Sequence, residues 1–198
     1  MNDTNLIMND SNPIMNDTHH MYPRLFRLVH MGLAVFGIAA YLTAEAAEHG
    51  GNSSLGYLLH AYLGMTLSVF IMLRIFQGYI GAAEARFSRW SLFSKRQLHI
   101  AIEDMKGLAR FKMPERDLHE GLAGMVQAFG LIIFAWMSAT GSVIFFIDER
   151  SSEVLFEIFE ELHEVGEGLI PMFLVLHIGA VIVHSLNGTG FLKRMWHV

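Results

Sequence analysis

Histidine is the residue type in this chain with the clearest potential for chemistry. The 198 residues include 11 histidines, and His30, His60 and His177 lie inside strongly apolar stretches. His163 and His184 lie near the two ends of the last apolar stretch. Ionisable groups are costly inside a membrane and usually functional there, and neutral imidazole is the commonest metal ligand in proteins. These positions predict metal ligation within a membrane.

The composition excludes several other kinds of site. Because the chain has no cysteine, it cannot form disulfides, thiolate zinc sites, iron–sulfur clusters or covalently attached haem. Charged residues make up 17% of the chain and hydrophobic residues 53%, whereas soluble domains are about 25% charged. The net charge of −5, with no basic stripe, argues against a nucleic-acid partner. The composition is that of a protein in a lipid bilayer.

Four stretches are long and apolar enough to cross a bilayer, which takes about 20 residues. They cover approximately residues 25–46, 55–80, 122–147 and 164–187. We therefore predict an all-α fold, an integral membrane four-helix bundle, within residues 22–198. Pro171 is expected to kink the fourth span.

The basic residues predict how the spans are oriented. Lysine and arginine are concentrated before the first span, between the second and third spans, and after the fourth span. The loop between the third and fourth spans has only Arg150 among many acidic residues, and the loop between the first and second has no basic residue. Both termini are therefore predicted to be cytoplasmic, with the acidic segment 148–167 on the opposite side.

Two regions outside the spans have patterns of their own. Residues 1–21 repeat MNDTNLI, MNDSNPI and MNDTHHM, and this Asn/Asp-rich composition predicts disorder, with Met8, Met15 or Met21 as alternative starts. The connection 81–121 is basic and has apolar residues at helical spacing. It is predicted to lie on the cytoplasmic membrane surface, a docking surface for a cytoplasmic partner being the alternative.

The histidines of the fourth span are spaced for two stacked groups. His163 and His177 are fourteen residues apart, which is about 21 Å of helical rise with only about 40° of rotation. Two ligands so placed could each hold one haem at a different depth. His177 and His184 are only about 10 Å apart along the helix, too close for two upright haems.

Depth in the membrane suggests how the histidines pair. From the cytoplasmic ends of their spans, His30 lies about 9 Å deep and His60 about 30 Å deep. The difference between these two depths matches the separation of His163 and His177 along the fourth span. We therefore predict that His30 pairs with His177 and His60 with His163. Depth alone leaves His184 as an alternative partner of His30. The competing interpretation is that these histidines only form hydrogen bonds between helices, which four matched depths disfavour.

The sequence around these histidines resembles a known family. RLFRLVH in the first span, LLHAYLG in the second, and LHEVGEGLIPMFLVLH followed by VIVH in the fourth are similar to the bacterial cytochrome b561 family. That family comprises four-helix di-haem b cytochromes of the bacterial inner membrane, related to the cytochrome b subunits of nickel–iron hydrogenases. The resemblance covers about residues 22–196. It implies two haem b groups per chain, membrane quinone as redox partner, and axial ligation by His30, His60, His163 and His177, with His184 near a haem.

Two further residues are candidates for the site. Arg74 follows His60 by fourteen residues, and its planar guanidinium suits a haem propionate or a quinone; the alternative is that it extends to the membrane interface. Gly64 is on the same helix face as His60, where a missing side chain leaves room for a porphyrin. The polar residues of the third span are predicted to form hydrogen bonds between helices rather than a site; they are Gln127, Ser138, Thr140 and Ser142.

Three functions are consistent with these features. The first is electron transfer between membrane quinone and a periplasmic cytochrome or other redox protein that docks on the acidic segment. The second is an oxidoreductase that takes electrons from superoxide or another small molecule at the haem held by His60 and His163 and passes them to quinone. A negatively charged surface, however, repels superoxide. The third is a histidine-based metal transporter, which is disfavoured because the interiors of the spans lack carboxylates.

Overall fold

The computed structural model describes residues 24–48, 54–81, 86–87, 95–110, 121–147 and 152–186, without the side chains of His184 and Leu186. The repeat 1–21 and its predicted disorder lie outside the described residues, as do residues 82–85, 88–94 and 111–120 of the connection 81–121 and the chain after residue 186.

The described residues form five helices and no strand. They are α1 (Arg24–Glu48), α2 (Leu55–Ile80), α3 (Lys95–Leu108), α4 (Gly121–Phe146) and α5 (Glu153–Leu186). All except α3 are long and apolar enough to cross a membrane. The prediction of an all-α membrane bundle is therefore confirmed.

Helix α5 is longer than its apolar pattern indicates. It begins at Glu153, whereas the predicted span begins at residue 164, and its 34 residues correspond to about 51 Å of rise. That length exceeds the roughly 30 Å hydrocarbon core of a bilayer. The acidic residues from Glu153 onward are thus the first turns of the helix that carries His163. Pro171, where a kink is expected, lies within α5 without ending it.

The contacts between helices define two antiparallel hairpins. In the first, Gly56 near the start of α2 lies against the Ala46 backbone near the end of α1. In the second, the Trp136 indole of α4 donates a hydrogen bond to the Leu162 carbonyl of α5 at 2.8 Å. Contacts between α2 and α4 join the hairpins. We call the end where α1 ends and α5 begins, at Glu48 and Glu153, the acidic end, and the opposite end, which carries α3, the basic end.

The surface of the bundle is apolar, and its interior is built from close contacts. Leu42 and Val175 are each 72% exposed, as expected for side chains that lipid would cover. Between helices, Gly130 lies directly against the Phe173 ring, so α4 and α5 approach closely at this point. Inside a membrane the hydrophobic effect does not drive helices together. Small residues stabilise helix pairs there because they let the backbones approach closely.

Helix α3 packs on α4 at the basic end. Its Gln97 side-chain oxygen accepts a hydrogen bond from the Gly121 amide at 2.9 Å, and its buried Asp104 carboxylate accepts one from the Leu122 amide at 3.1 Å. These bonds satisfy donors that the first turn of a helix leaves without partners in its own backbone. Leu98 and Met105 of α3 are more than half exposed.

Replacing Gly121 with alanine is expected to destabilise the fold. Gly121 has φ +59°, and a Cβ there would overlap the Asp104 carboxylate and lie 2.8 Å from Ile100 Cγ2. The left-handed conformation alone costs a residue with a side chain about 1–3 kcal/mol. The variant should therefore have a lower thermal midpoint, measured in detergent by tryptophan fluorescence. Gly168→Ala is the control, because its Cβ would meet no atom within 4 Å, and equal midpoints for both variants would contradict the expectation.

Candidate functional site

Two histidines from different hairpins face each other near the acidic end. His60 lies one and a half turns into α2, and His163 lies within α5 just beyond its acidic first turns. Their ring centroids are 6.1 Å apart, and the ring planes are nearly perpendicular, at 88°.

A second pair lies nearer the basic end. His30 of α1 and His177 of α5 also have ring centroids 6.1 Å apart, with an interplanar angle of 54°. His177 stacks on Phe173, with centroids 5.3 Å apart at 21°, so the phenyl ring packs on the imidazole face and leaves the nitrogen-bearing edge uncovered by this contact. The structure thus brings together the two histidine pairs that the depths predict.

The separation of the rings in each pair suits a shared metal ion. Two metal–nitrogen bonds of about 2.0 Å, plus about 1.1 Å from each nitrogen to its ring centre, place the two centroids about 6 Å apart. Both pairs have this spacing. Among the described residues, no group of three or more histidine, aspartate or glutamate side chains is placed to hold a metal ion.

The hydrogen bonds around His60 determine which of its nitrogens is available. Its Nδ1 lies 2.9 Å from the carbonyl oxygen of Ala40. A carbonyl only accepts hydrogen bonds, so Nδ1 carries the proton and Nε2 keeps its lone pair. Histidines that bind metals usually donate their other ring N–H to such an acceptor.

His163 has an equivalent partner on α4. Its Nδ1 lies 2.8 Å from the Thr140 hydroxyl oxygen. That hydroxyl is 2.9 Å from the Trp136 carbonyl, to which it donates its single proton. Thr140 therefore accepts the Nδ1 proton of His163, and Nε2 of His163 keeps its lone pair.

Both rings line a cavity between α1, α2, α4 and α5. Its volume is about 230 Å³, several times the roughly 30 Å³ that one water molecule occupies in the liquid. Small residues form much of its wall; they include Gly37, Ala40, Gly64, Ser138 and Gly141. A Cβ on Gly64 would meet no atom within 4 Å, so open space faces this residue, one turn after His60. The cavity and its two imidazoles fit a flat, largely apolar group with a metal at its centre.

Arg74 lies in the interior of the basic half of the bundle. It is 5% exposed, and its guanidinium carbon lies 5.3 Å from the Phe26 ring centre and 5.7 Å from that of Phe87. The alternative that Arg74 extends to the membrane interface does not match this burial.

The sequence did not identify two groups that contact the histidines. Thr140 was expected to form a hydrogen bond between helices, and it does, but its partner is the candidate ligand His163. Its depth in the membrane could have indicated this contact. Thr140 lies about as far from the end of α4 as His60 lies from the start of α2, so the two residues are at the same level. The contact of His60 with the Ala40 carbonyl could not be predicted from the sequence, because every residue has a main-chain carbonyl. The side chain of His184 lies outside the described residues.

Comparison with known families agrees with this geometry. The family model described as prokaryotic cytochrome b561 matches residues 21–198, which include all five helices and both histidine pairs. The chain belongs to the prokaryotic cytochrome b561 family. Comparisons with curated proteins and with solved structures give no significant match.

Membership of the cytochrome b561 family determines the general chemistry of the protein. It implies a membrane cytochrome that binds haem b and transfers electrons. The resemblance seen in the sequence is therefore confirmed at the level of family, cofactor class and electron transfer. The described residues of this b561 chain include two pairs of imidazoles, each with ring centroids 6.1 Å apart.

Proposed function

We propose that this cytochrome binds two haem b groups and carries electrons across the bacterial inner membrane, between membrane quinone and a periplasmic redox partner. His60 and His163 would hold one haem, and His30 and His177 the other. The observation that carries the proposal is the presence of two histidine pairs with the same 6.1 Å separation at two depths of one bundle.

The residues around each pair are suited to outer-sphere electron transfer. Each histidine pair would hold a haem iron through two imidazoles, which suits electron transfer rather than the binding of oxygen or substrate. When bound, haem b supplies a one-electron redox centre. Hydrogen bonds to the Ala40 carbonyl and the Thr140 hydroxyl would orient the metal-binding nitrogens of His60 and His163.

The two pairs lie in different halves of the bundle. His163 and His177 are separated by fourteen residues of one helix, or about 21 Å of rise. That separation is most of the roughly 30 Å hydrocarbon core. We infer that one haem lies near each membrane surface, so that electrons cross the bilayer through both.

The charges of the two ends support an orientation. Basic residues of α1 and α3 lie at the basic end, and glutamates at the acidic end. By the positive-inside rule the basic end is cytoplasmic, and the acidic end is periplasmic. We propose that Arg74, in the basic half, binds a propionate of the haem held by His30 and His177 or contacts the quinone. His184, seven residues after His177, would lie near that haem.

The charge of the acidic end favours a cationic protein as the periplasmic partner. Four glutamates line the cavity beside His60 and His163; they are Glu48, Glu160, Glu164 and Glu167. Such a surface raises the encounter rate of a basic protein and lowers that of superoxide, which is an anion. We therefore propose a basic electron carrier in preference to superoxide.

The purified protein is expected to contain two haem b groups per chain. Two pairs of axial ligands at two depths are the reason. The measurement is the dithionite-reduced minus oxidised absorption spectrum, with haem quantified as the pyridine haemochrome. A stoichiometry of one would contradict one of the two pairs, and a chain without haem after expression with haem supplied would contradict the proposal.

Electron transfer across the bilayer is tested in proteoliposomes. Ubiquinol in the membrane serves as the donor probe, and ferricyanide outside serves as the impermeant acceptor. Liposomes with the protein should reduce ferricyanide faster than liposomes without it. Equal rates with a fully haem-loaded protein would contradict the transmembrane route.

A further inference from the structure

We propose that Thr140 is a positioning residue for the axial ligand His163 and lowers the midpoint potential of the haem bound there. This inference rests on the proposed function, because it needs a haem on the His60–His163 pair. The observation that carries it is the hydrogen bond from His163 Nδ1 to Thr140 Oγ1, at 2.8 Å.

The direction of this bond follows from the other partners of the hydroxyl. Thr140 Oγ1 lies 2.9 Å from the Trp136 carbonyl and 3.3 Å from that of Met137, both within its own helix. A hydroxyl has one proton and two lone pairs, so the proton bonds to these carbonyls and a lone pair faces His163. Thr140 is 6% exposed, so little water can replace it as the acceptor.

The rest of α4 holds the His163 ring in place for this contact. Trp136 donates to the carbonyl of Leu162, the residue before His163, and so fixes the α5 backbone at this level. Gly141 has no side chain, and a Cβ there would lie 3.0 Å from His163 Cε1. Within about one and a half turns, α4 therefore provides a backbone anchor at Trp136, a hydrogen-bond acceptor at Thr140 and space for the ring at Gly141.

The two ligands of this pair differ in how their proton is held. His60 donates to the Ala40 main-chain carbonyl, which no substitution of side chain removes. His163 donates to a side chain, so its environment depends on which residue stands at position 140. A hydrogen-bond acceptor for the imidazole N–H that does not face the metal makes the ligating nitrogen more basic. A more basic ligand stabilises ferric over ferrous iron. Thr140 thus adjusts one of the two haems and leaves the other unaffected.

Thr140→Val is the variant that tests this role. Valine keeps the branched shape of threonine but cannot accept the proton of His163. We expect one of the two midpoint potentials to rise, and for each tenfold loss of preference for ferric iron the rise is about 59 mV. The haem at this pair should also bind about 10- to 100-fold more weakly, as for other changes in groups that orient metal ligands. Thr140→Ser should restore both properties.

Two controls separate this role from a general effect on structure. Thr66→Val makes the same substitution at a threonine of α2 that does not line the cavity and whose hydroxyl donates to the Tyr62 carbonyl at 2.8 Å, and it should leave both potentials unchanged. The potential of the haem on His30 and His177 serves as an internal reference. If Thr140→Val does not accumulate in the membrane, Thr140→Ala gives the same test with a smaller side chain.

The outcomes distinguish this inference from the proposed function. A wild-type chain without haem on His60 and His163 overturns both. Two haems in Thr140→Val with both potentials unchanged overturn the role of Thr140 alone. Equal shifts of both potentials also overturn it, because they indicate a general structural effect. A rise in one potential, reversed by serine, supports it.

Discussion

Replacing His163 with alanine is expected to remove one haem b from each chain and to leave the other. Alanine takes away one of the two imidazoles at the acidic end, while His30 and His177 keep their 6.1 Å separation elsewhere in the bundle. Haem per chain should therefore fall by half, measured as the pyridine haemochrome. One of the two steps in a redox titration should disappear.

His99 provides the matched control for this loss. It lies on α3, where its side chain is 76% exposed and 3.2 Å from Glu103, and it contacts neither histidine pair. His99→Ala should keep both haems. Retention of two haems by His163→Ala would show that His163 is not an axial ligand. Loss of both would show that the two sites do not form independently.

Replacing Gly64 with phenylalanine is expected to remove the same haem while all four histidines remain. Gly64 lines the cavity between His60 and His163, and open space faces it, since a Cβ there would meet no atom within 4 Å. A phenyl group at this position would project into the cavity and occupy volume that a porphyrin needs. Haem per chain should again fall by half, with the thermal midpoint of the haem-free chain unchanged.

Gly168 allows a control with the same substitution. A Cβ on Gly168, like one on Gly64, would meet no atom within 4 Å, but Gly168 is exposed on the outside of α5. Gly168→Phe should keep both haems. If Gly64→Phe also keeps both, then the cavity beside Gly64 is not where the haem lies.

The membrane helices were predictable because hydropathy acts locally along the chain. The predicted span 55–80 coincides with α2, and the limits of α1 and α4 differ from the predicted limits by one or two residues. The start of α5 was not predictable in this way. Hydropathy indicates which residues lie in lipid, whereas a helix continues for as long as its backbone hydrogen bonds are formed. Helix α5 therefore extends through polar residues from Glu153.

The histidine pairs were predictable for a related reason. Helical rise converts residue number into depth, so His30 could be matched to His177 and His60 to His163 by counting alone. Counting did not exclude His184 as the partner of His30. The structure places the His177 ring 6.1 Å from that of His30, since the helix rotation and the neighbouring helix, as well as depth, determine which side chains meet.

The apolar spans, their charge asymmetry and the depths of four histidines follow from the order of the residues, because each depends only on position along a helix. Which atoms orient those histidines depends on how the helices pack. The Ala40 carbonyl and the Thr140 hydroxyl contact His60 and His163 because of how α1 packs on α2 and α4 on α5. Lateral packing and helix rotation arise from contacts between distant parts of the chain, and spacing along the chain does not encode them.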